Sequence, residues 1–203
     1  MERVVAYIDG YNLYYGLRSS GWRRYYWLNP RTMIGHLLRS AQALVLTRYF
    51  TTIVKQPDDQ RRRQALFLEA LGTLPDITFH YGHYLSSPVT CRNCGHTVDV
   101  PHEKMTDVNI AVEMMSDAYR NSFDVALLVS ADSDLVGPVK AIHHLFPDKR
   151  VLPVFPPNRW SSALRTAAGG SLHITRSILA KSQMPDQVTK PDGYVLNRPA
   201  LWR

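Results

Sequence analysis

Apolar positions along the chain fall into short continuous runs, and the segments between them carry helical periodicity. Residues 3–8 form a run that reads as a buried strand ending at Asp9-Gly10, and 12–17 begin a helix behind it. An aromatic and basic loop over 22–27 precedes a helix that starts at Asn29-Pro30 and reaches about residue 40; Pro30 suits a first turn. Strands are predicted over 43–54, 77–84, 124–129, 150–155 and 172–175. Further helices are predicted from Pro57 to about residue 71, over 106–119, from about 135 to 146, and over 159–168. In the 106–119 helix, Val108, Ala111, Val112 and Met115 give an apolar stripe, and Thr106 is placed to cap it.

Strands that alternate with helices, several of them apolar throughout, predict a mostly parallel sheet covered on both faces. The expected fold is therefore an α/β three-layer sandwich spanning residues 1–182. An insertion occupies 85–103, and a proline-containing tail over 183–203 is expected to be irregular, either docked or mobile. In such sheets ligands bind beyond the carboxyl ends of the strands.

That rule gives the acidic residues a shared location. Asp9 follows the first strand, and Asp132 and Asp134 follow the strand ending at Val129. Asp107 opens a helix that runs antiparallel to the strands, so its start falls at the same edge, where the helix dipole favours negative charge. Each acid taken singly fits a strand-ending turn or a helix cap. Together their repulsion calls for a cation, and oxygen-only ligands suit Mg²⁺ or Mn²⁺. Asp132 is the stronger candidate for direct ligation. Asp134 fits a direct ligand, a water-mediated one or a helix cap. Glu113 lies about 240° round the helix from Asp107 and is not placed in the set.

Composition adds a partner class. The formal charge is +7 with a sequence pI near 9.5, which favours a polyanion, nucleic acid first. No run is long enough to predict a membrane span, and the opening residues enter a strand pattern directly, so a cytoplasmic protein is expected. Oligomers are compatible with the sequence.

Three blocks add a resemblance. Residues 7–16 (YIDGYNLYYG), 103–112 (EKMTDVNIAV) and 129–135 (VSADSDL) resemble the signature blocks of the NYN domain family, PIN-like proteins of the LabA/DUF88 group. The resemblance runs from about Val4 to Thr175. It implies a PIN-like α/β fold and a metal-dependent nuclease acting on RNA, with Asp9, Asp107, Asp132 and Asp134 as metal-binding acids. Asn12 and Ser130 would support them. Ala131 stands where a glycine is common in the family, and Met105 where a small residue often sits. A non-catalytic RNA-binding or regulatory NYN module is the alternative; a phosphatase or a DNA nuclease would use the same acids.

The remaining candidates lie outside the acidic set. The only two cysteines, Cys91 and Cys94, form one CxxC in the insertion, with His96 and His102 nearby. This fits half of a zinc knuckle completed as Cys₂His₂, and equally a pair of reduced thiols in an exposed loop. Trp22, Arg23 and Arg24 suit a substrate groove by stacking and phosphate contact. Lys104 fits either a phosphate contact or a solvated side chain, and Arg61 to Arg63 read as a solvated helix face.

Overall fold

The computed structural model describes the backbone of residues 1–203 and every side chain except those of residues 84–87 and 99–103. Strand β1 (Glu2–Asp9) leads directly into helix α1 (Gly10–Ser19), followed by α2 (Pro30–Gly35), β2 (Gln42–Thr51), α3 (Asp58–Leu71) and β3 (Ile77–Tyr81). A hairpin of β4 (His83–Thr90) and β5 (Thr97–Lys104) separates β3 from α4 (Thr106–Tyr119). The chain continues through β6 (Val125–Val129), α5 (Val136–Leu145), β7 (Arg150–Phe155), α6 (Ser162–Ala168), β8 (Leu172–His173) and α7 (Arg176–Lys181). It closes with a small hairpin, β9 (Gln187–Thr189) and β10 (Val195–Asn197).

The six-stranded sheet has the order β3-β2-β1-β6-β7-β8, and every neighbouring pair is parallel. Strand β1 is central, and alternate residues feed separate cores because a strand's side chains alternate between faces. Val4, Ala6 and Ile8 join a layer with Leu13, Met33, Leu71 and Leu179. Val5 and Tyr7 join Ile110, Met114, Val139 and Leu164 on the other face. The polarity pattern that reads as a continuous apolar run is thus a strand buried on both sides. From β1 the chain first builds outward to β2 and β3, then returns to the other side of β1 as β6. The order reverses there, and the crevice between the carboxyl ends of β1 and β6 is where such sheets take ligands.

Several boundaries differ from the sequence reading, each for a local reason. Helix α2 ends at Gly35 and gives way to tighter turns through Leu37 and Leu38. Helix α6 begins at Ser162 because the Ser161 hydroxyl accepts the Leu164 N–H at 3.2 Å. Strand β3 stops at Tyr81, and the next residue, Gly82, passes so close to the hairpin base that a Cβ would lie 2.7 Å from the Lys104 carbonyl. The insertion is an antiparallel hairpin whose base pairs His83 with Lys104. In α4 the buried face is Thr106, Ile110, Met114, Asp117 and Ala118, while Val108 and Val112 are exposed. The cap of α4 also differs: Met105 takes that position at φ 78°, a left-handed conformation open to glycine without steric cost. Thr106 is the first helical residue, and its buried hydroxyl has no hydrogen-bond partner among the described residues.

The tail is docked. Met184 N–H donates to the Trp27 carbonyl at 2.9 Å, the Trp27 indole donates to the Pro185 carbonyl at 2.7 Å, and Val188, Leu196 and Trp202 join the core. Among the described residues no helix is long and apolar enough to cross a membrane.

Candidate active site

Asp9 ends β1 and caps α1, its Oδ1 accepting the Asn12 N–H at 2.8 Å. Gly10 is required at this junction. A Cβ there would sit 2.8 Å from the Phe50 carbonyl and 2.9 Å from the Tyr49 ring, so only glycine lets α1 start against β2. Asp9 is only 4% exposed, and its charge, after burial, helps push the neighbouring Tyr49 phenol up from its ordinary value.

Parallel pairing of Ile8 with Val129 brings the end of β6 alongside. The Ser130 hydroxyl donates to Asp9 Oδ2 at 3.0 Å and accepts the Asp132 N–H at 3.1 Å. Asn12 Oδ1 accepts the Ala131 N–H at 3.2 Å. Asp132 in turn caps the short turn Ser133–Leu135, its Oδ1 accepting the Asp134 N–H at 3.0 Å. One hydrogen-bonded chain therefore runs from Asp9 through Ser130 to Asp132 and Asp134, and Asn12 ties α1 to the same turn. Asp132 is half-buried and Asp134 is exposed. Half-buried Asp107 lies in the first turn of α4, and α4 packs on both β1 and the Ser133–Leu135 turn. Glu113 faces elsewhere, pairing with Arg48 at 3.0 Å and His80 at 3.5 Å.

Beside Asp9 a groove of about 850 Å³ opens between α1, the end of β2, α3 and the tail. Tyr11, Tyr14, Tyr15 and Arg18 line it from α1, with Arg23, Tyr26, Lys55, Arg63 and Trp202 around them. Arg18 lies over the Tyr15 ring at 5.9 Å, and Arg63 is paired with Asp59 at 2.7 Å. The α1 residues are absent from the sequence-based candidates. Their i, i+3, i+4, i+7 spacing was the available signal, because it places all four on one helix face. Of the residues expected to contact nucleic acid, Arg23 reaches this groove. Trp22 instead packs on Tyr25 and Arg176, exposed Arg24 gives its carbonyl to Arg198, and exposed Lys104 stands at the hairpin base.

The cysteines lie at the far end of the hairpin, exposed and not joined in a disulfide. N–H groups of Cys94 and Asn93 and the Cys94 thiol hold the Cys91 thiol below the usual thiol range. The His102 side chain lies outside the described residues, and His96 is exposed.

The NYN domain family matches residues 3–174. The chain belongs to that family. NYN domains are PIN-like nucleases, a class that typically uses divalent metals. The structure also resembles a crystal structure of a protein of unknown function from Vibrio parahaemolyticus RIMD 2210633. The two share 18% identity and a TM-score of 0.56, over 90% of this chain and 96% of that one, a likeness of fold alone. No curated protein matches the chain. Among the described residues of this NYN domain, no three His, Cys, Asp or Glu side chains stand close enough to hold one metal ion. The donor chemistry nevertheless fits Mg²⁺ or Mn²⁺. These ions take one or two protein carboxylates and fill their shells with water and substrate phosphate, so a site needs fewer than three acids in contact.

Proposed function

We propose that this NYN domain is a divalent-metal-dependent nuclease that hydrolyses phosphodiester bonds in RNA. The observation that carries the reading is the hydrogen-bonded chain joining Asp9, Ser130 and Asp132 at the point where the strand order reverses. Asp9 and Asp132 would hold the ion, with Asp107 and Asp134 at the rim. When bound, the ion supplies Lewis-acid stabilisation of the phosphate and an acidified water.

The chain's own residues set the geometry for that chemistry. Ser130 donates to Asp9 and orients one of its oxygens, while Asn12 holds the backbone turn that presents Asp132. Asp9 lies at the floor of the crevice, where its negative charge alone would repel a phosphate, so substrate binding depends on cations. The adjoining groove offers them in Arg18, Arg23 and Lys55, with tyrosine faces on which bases can stack.

The test is cleavage of single-stranded RNA, structured RNA and DNA by wild type and Asp132→Asn, with Mg²⁺, Mn²⁺ or EDTA. RNA cleavage is expected with either metal and not with EDTA. Asp132→Asn should lower it by more than about 100-fold, because loss of a ligand exceeds the usual outer-shell cost. Equal cleavage by the variant would remove Asp132 from the site. RNA binding with no metal-stimulated turnover would favour the non-catalytic reading.

A further inference from the structure

The hairpin β4–β5 carries chemistry that the nuclease reading does not use. At its tip Cys91 and Cys94 are both exposed, in a tight turn where the Gly95 N–H donates to the Cys91 carbonyl at 2.9 Å and Gly95 sits at φ 69°. The Cys91 N–H closes the turn on the His96 carbonyl at 2.8 Å. Such a turn brings the two cysteines near each other, and two sulfurs are half of a tetrahedral thiolate site.

Among the described residues the other half is not found in the same chain. No third His, Cys, Asp or Glu joins the pair among the described residues. Thr97 pairs with Thr90 next to the turn, whereas His102 pairs with Leu85, five residues further along the strand. At about 3.4 Å per residue the backbone of His102 is about 17 Å from that of Thr97. The His102 side chain lies outside the described residues.

We propose that the hairpin tip binds Zn²⁺ jointly with the tip of a second copy of this chain, four cysteines from two chains completing one site. Charge favours a copy of the same tip as the partner. A zinc ion with four thiolates carries a net charge of −2, and residues 88–98 contain Arg92 and no acid. Two Arg92 side chains therefore balance the complex, whereas without the ion they repel each other. Apolar surface points the same way. Val89 and Val98, paired across the strands just below the turn, are 47% and 52% exposed, and facing tips can cover them. A twofold arrangement uses the same patch on both chains and closes after two. The four thiol protons pass to solvent as the sulfurs bind the metal.

The experiment uses the full chain, stripped of metal by a chelator, kept in reductant and titrated with zinc chloride. Light-scattering mass and bound zinc are read together. The expected result is one zinc per two chains and a doubled mass that EDTA reverses, with Co²⁺ in place of zinc giving the spectrum of an all-thiolate tetrahedral site. Cys91→Ser and Cys94→Ser should bind no zinc at the tip and keep the mass of one chain, with circular dichroism unchanged. Arg92→Glu leaves the ligands in place and should weaken zinc-dependent association by about tenfold or more, since like charges then surround an anionic complex. One zinc per chain with no change in mass would overturn the proposal. So would the absence of zinc uptake, or a doubled mass that persists in EDTA or in the serine variants.

Discussion

Arg48 carries a charge into the layer between the sheet and α4, where few alternatives to pairing exist. Its guanidinium makes a two-pronged bond to Asp117, at 2.7 Å from both Nε and Nη2, and Nη1 reaches Glu113 at 3.0 Å. Asp117 is 1% exposed and also accepts the Tyr7 hydroxyl at 2.6 Å. Burial, and then the Asp117 charge, push the Tyr7 phenol far above its ordinary value. Removing the cation would strand a carboxylate, so Arg48→Ala is expected to cost about 3–5 kcal/mol in urea denaturation. The double variant Arg48→Met/Asp117→Leu should cost clearly less, because the buried carboxylate leaves with the cation and only half-buried Glu113 loses a partner. None of this is legible in the sequence, where Asp117 sits in α4 like any solvated acid. By contrast, Asp9, Asp132 and Asp134 could be read, because their position just beyond apolar runs already places them at one edge.

Strands β1 and β6 are locked at their amino ends as well as at the candidate site. Arg3 N–H donates to Asp124 Oδ2 at 2.7 Å, its Nη2 lies 2.8 Å from Oδ1, and its Nη1 donates to the Asn121 carbonyl at 2.6 Å. Hydrogen bonds from Arg3, followed by its charge, hold the Asp124 carboxyl down at about 2. The folded state thus binds its proton later than the unfolded chain, whose carboxyl titrates near 3.9. The clamp's contribution is complete above that value and is lost as pH falls from about 4 towards 2. Partial exposure limits it to about 1 kcal/mol. Urea midpoints of wild type and Asp124→Asn should therefore differ at pH 6 and converge near pH 2. Among the elements, the continuous strands were the most legible, since burial on both faces leaves an unbroken apolar run. Helix α4 was recognised as a helix, but its face was not. Val108, Ala111, Val112 and Met115 offer as regular a stripe as Ile110, Met114 and Ala118, and the buried stripe is broken in sequence by Asp117. The hairpin escaped because Pro88, Pro101 and many polar residues hide its alternation.

At the scale of the whole molecule, the two ends of the chain close one layer. Trp202 lies 8% exposed with its ring near Tyr26, Trp27 and Phe67, at ring separations of 5.7, 6.2 and 6.0 Å. The same side chain lines the groove beside Asp9. Trp202→Ala should cost about 3–5 kcal/mol of stability, readable as a lower urea midpoint. That groove was only partly legible, because its walls come from α1, β2, α3 and the tail, and no local pattern joins segments so distant in sequence. The β4–β5 arm stands in a different relation to the body. His83 and Lys104 face each other at its base, so the chain leaves and re-enters at one doorway between Gly82 and Met105. An arm attached in this way is a cassette. Its length and its tip can be exchanged during descent, or by an engineer, while the six parallel strands keep their order and Asp107 keeps its place at the head of α4.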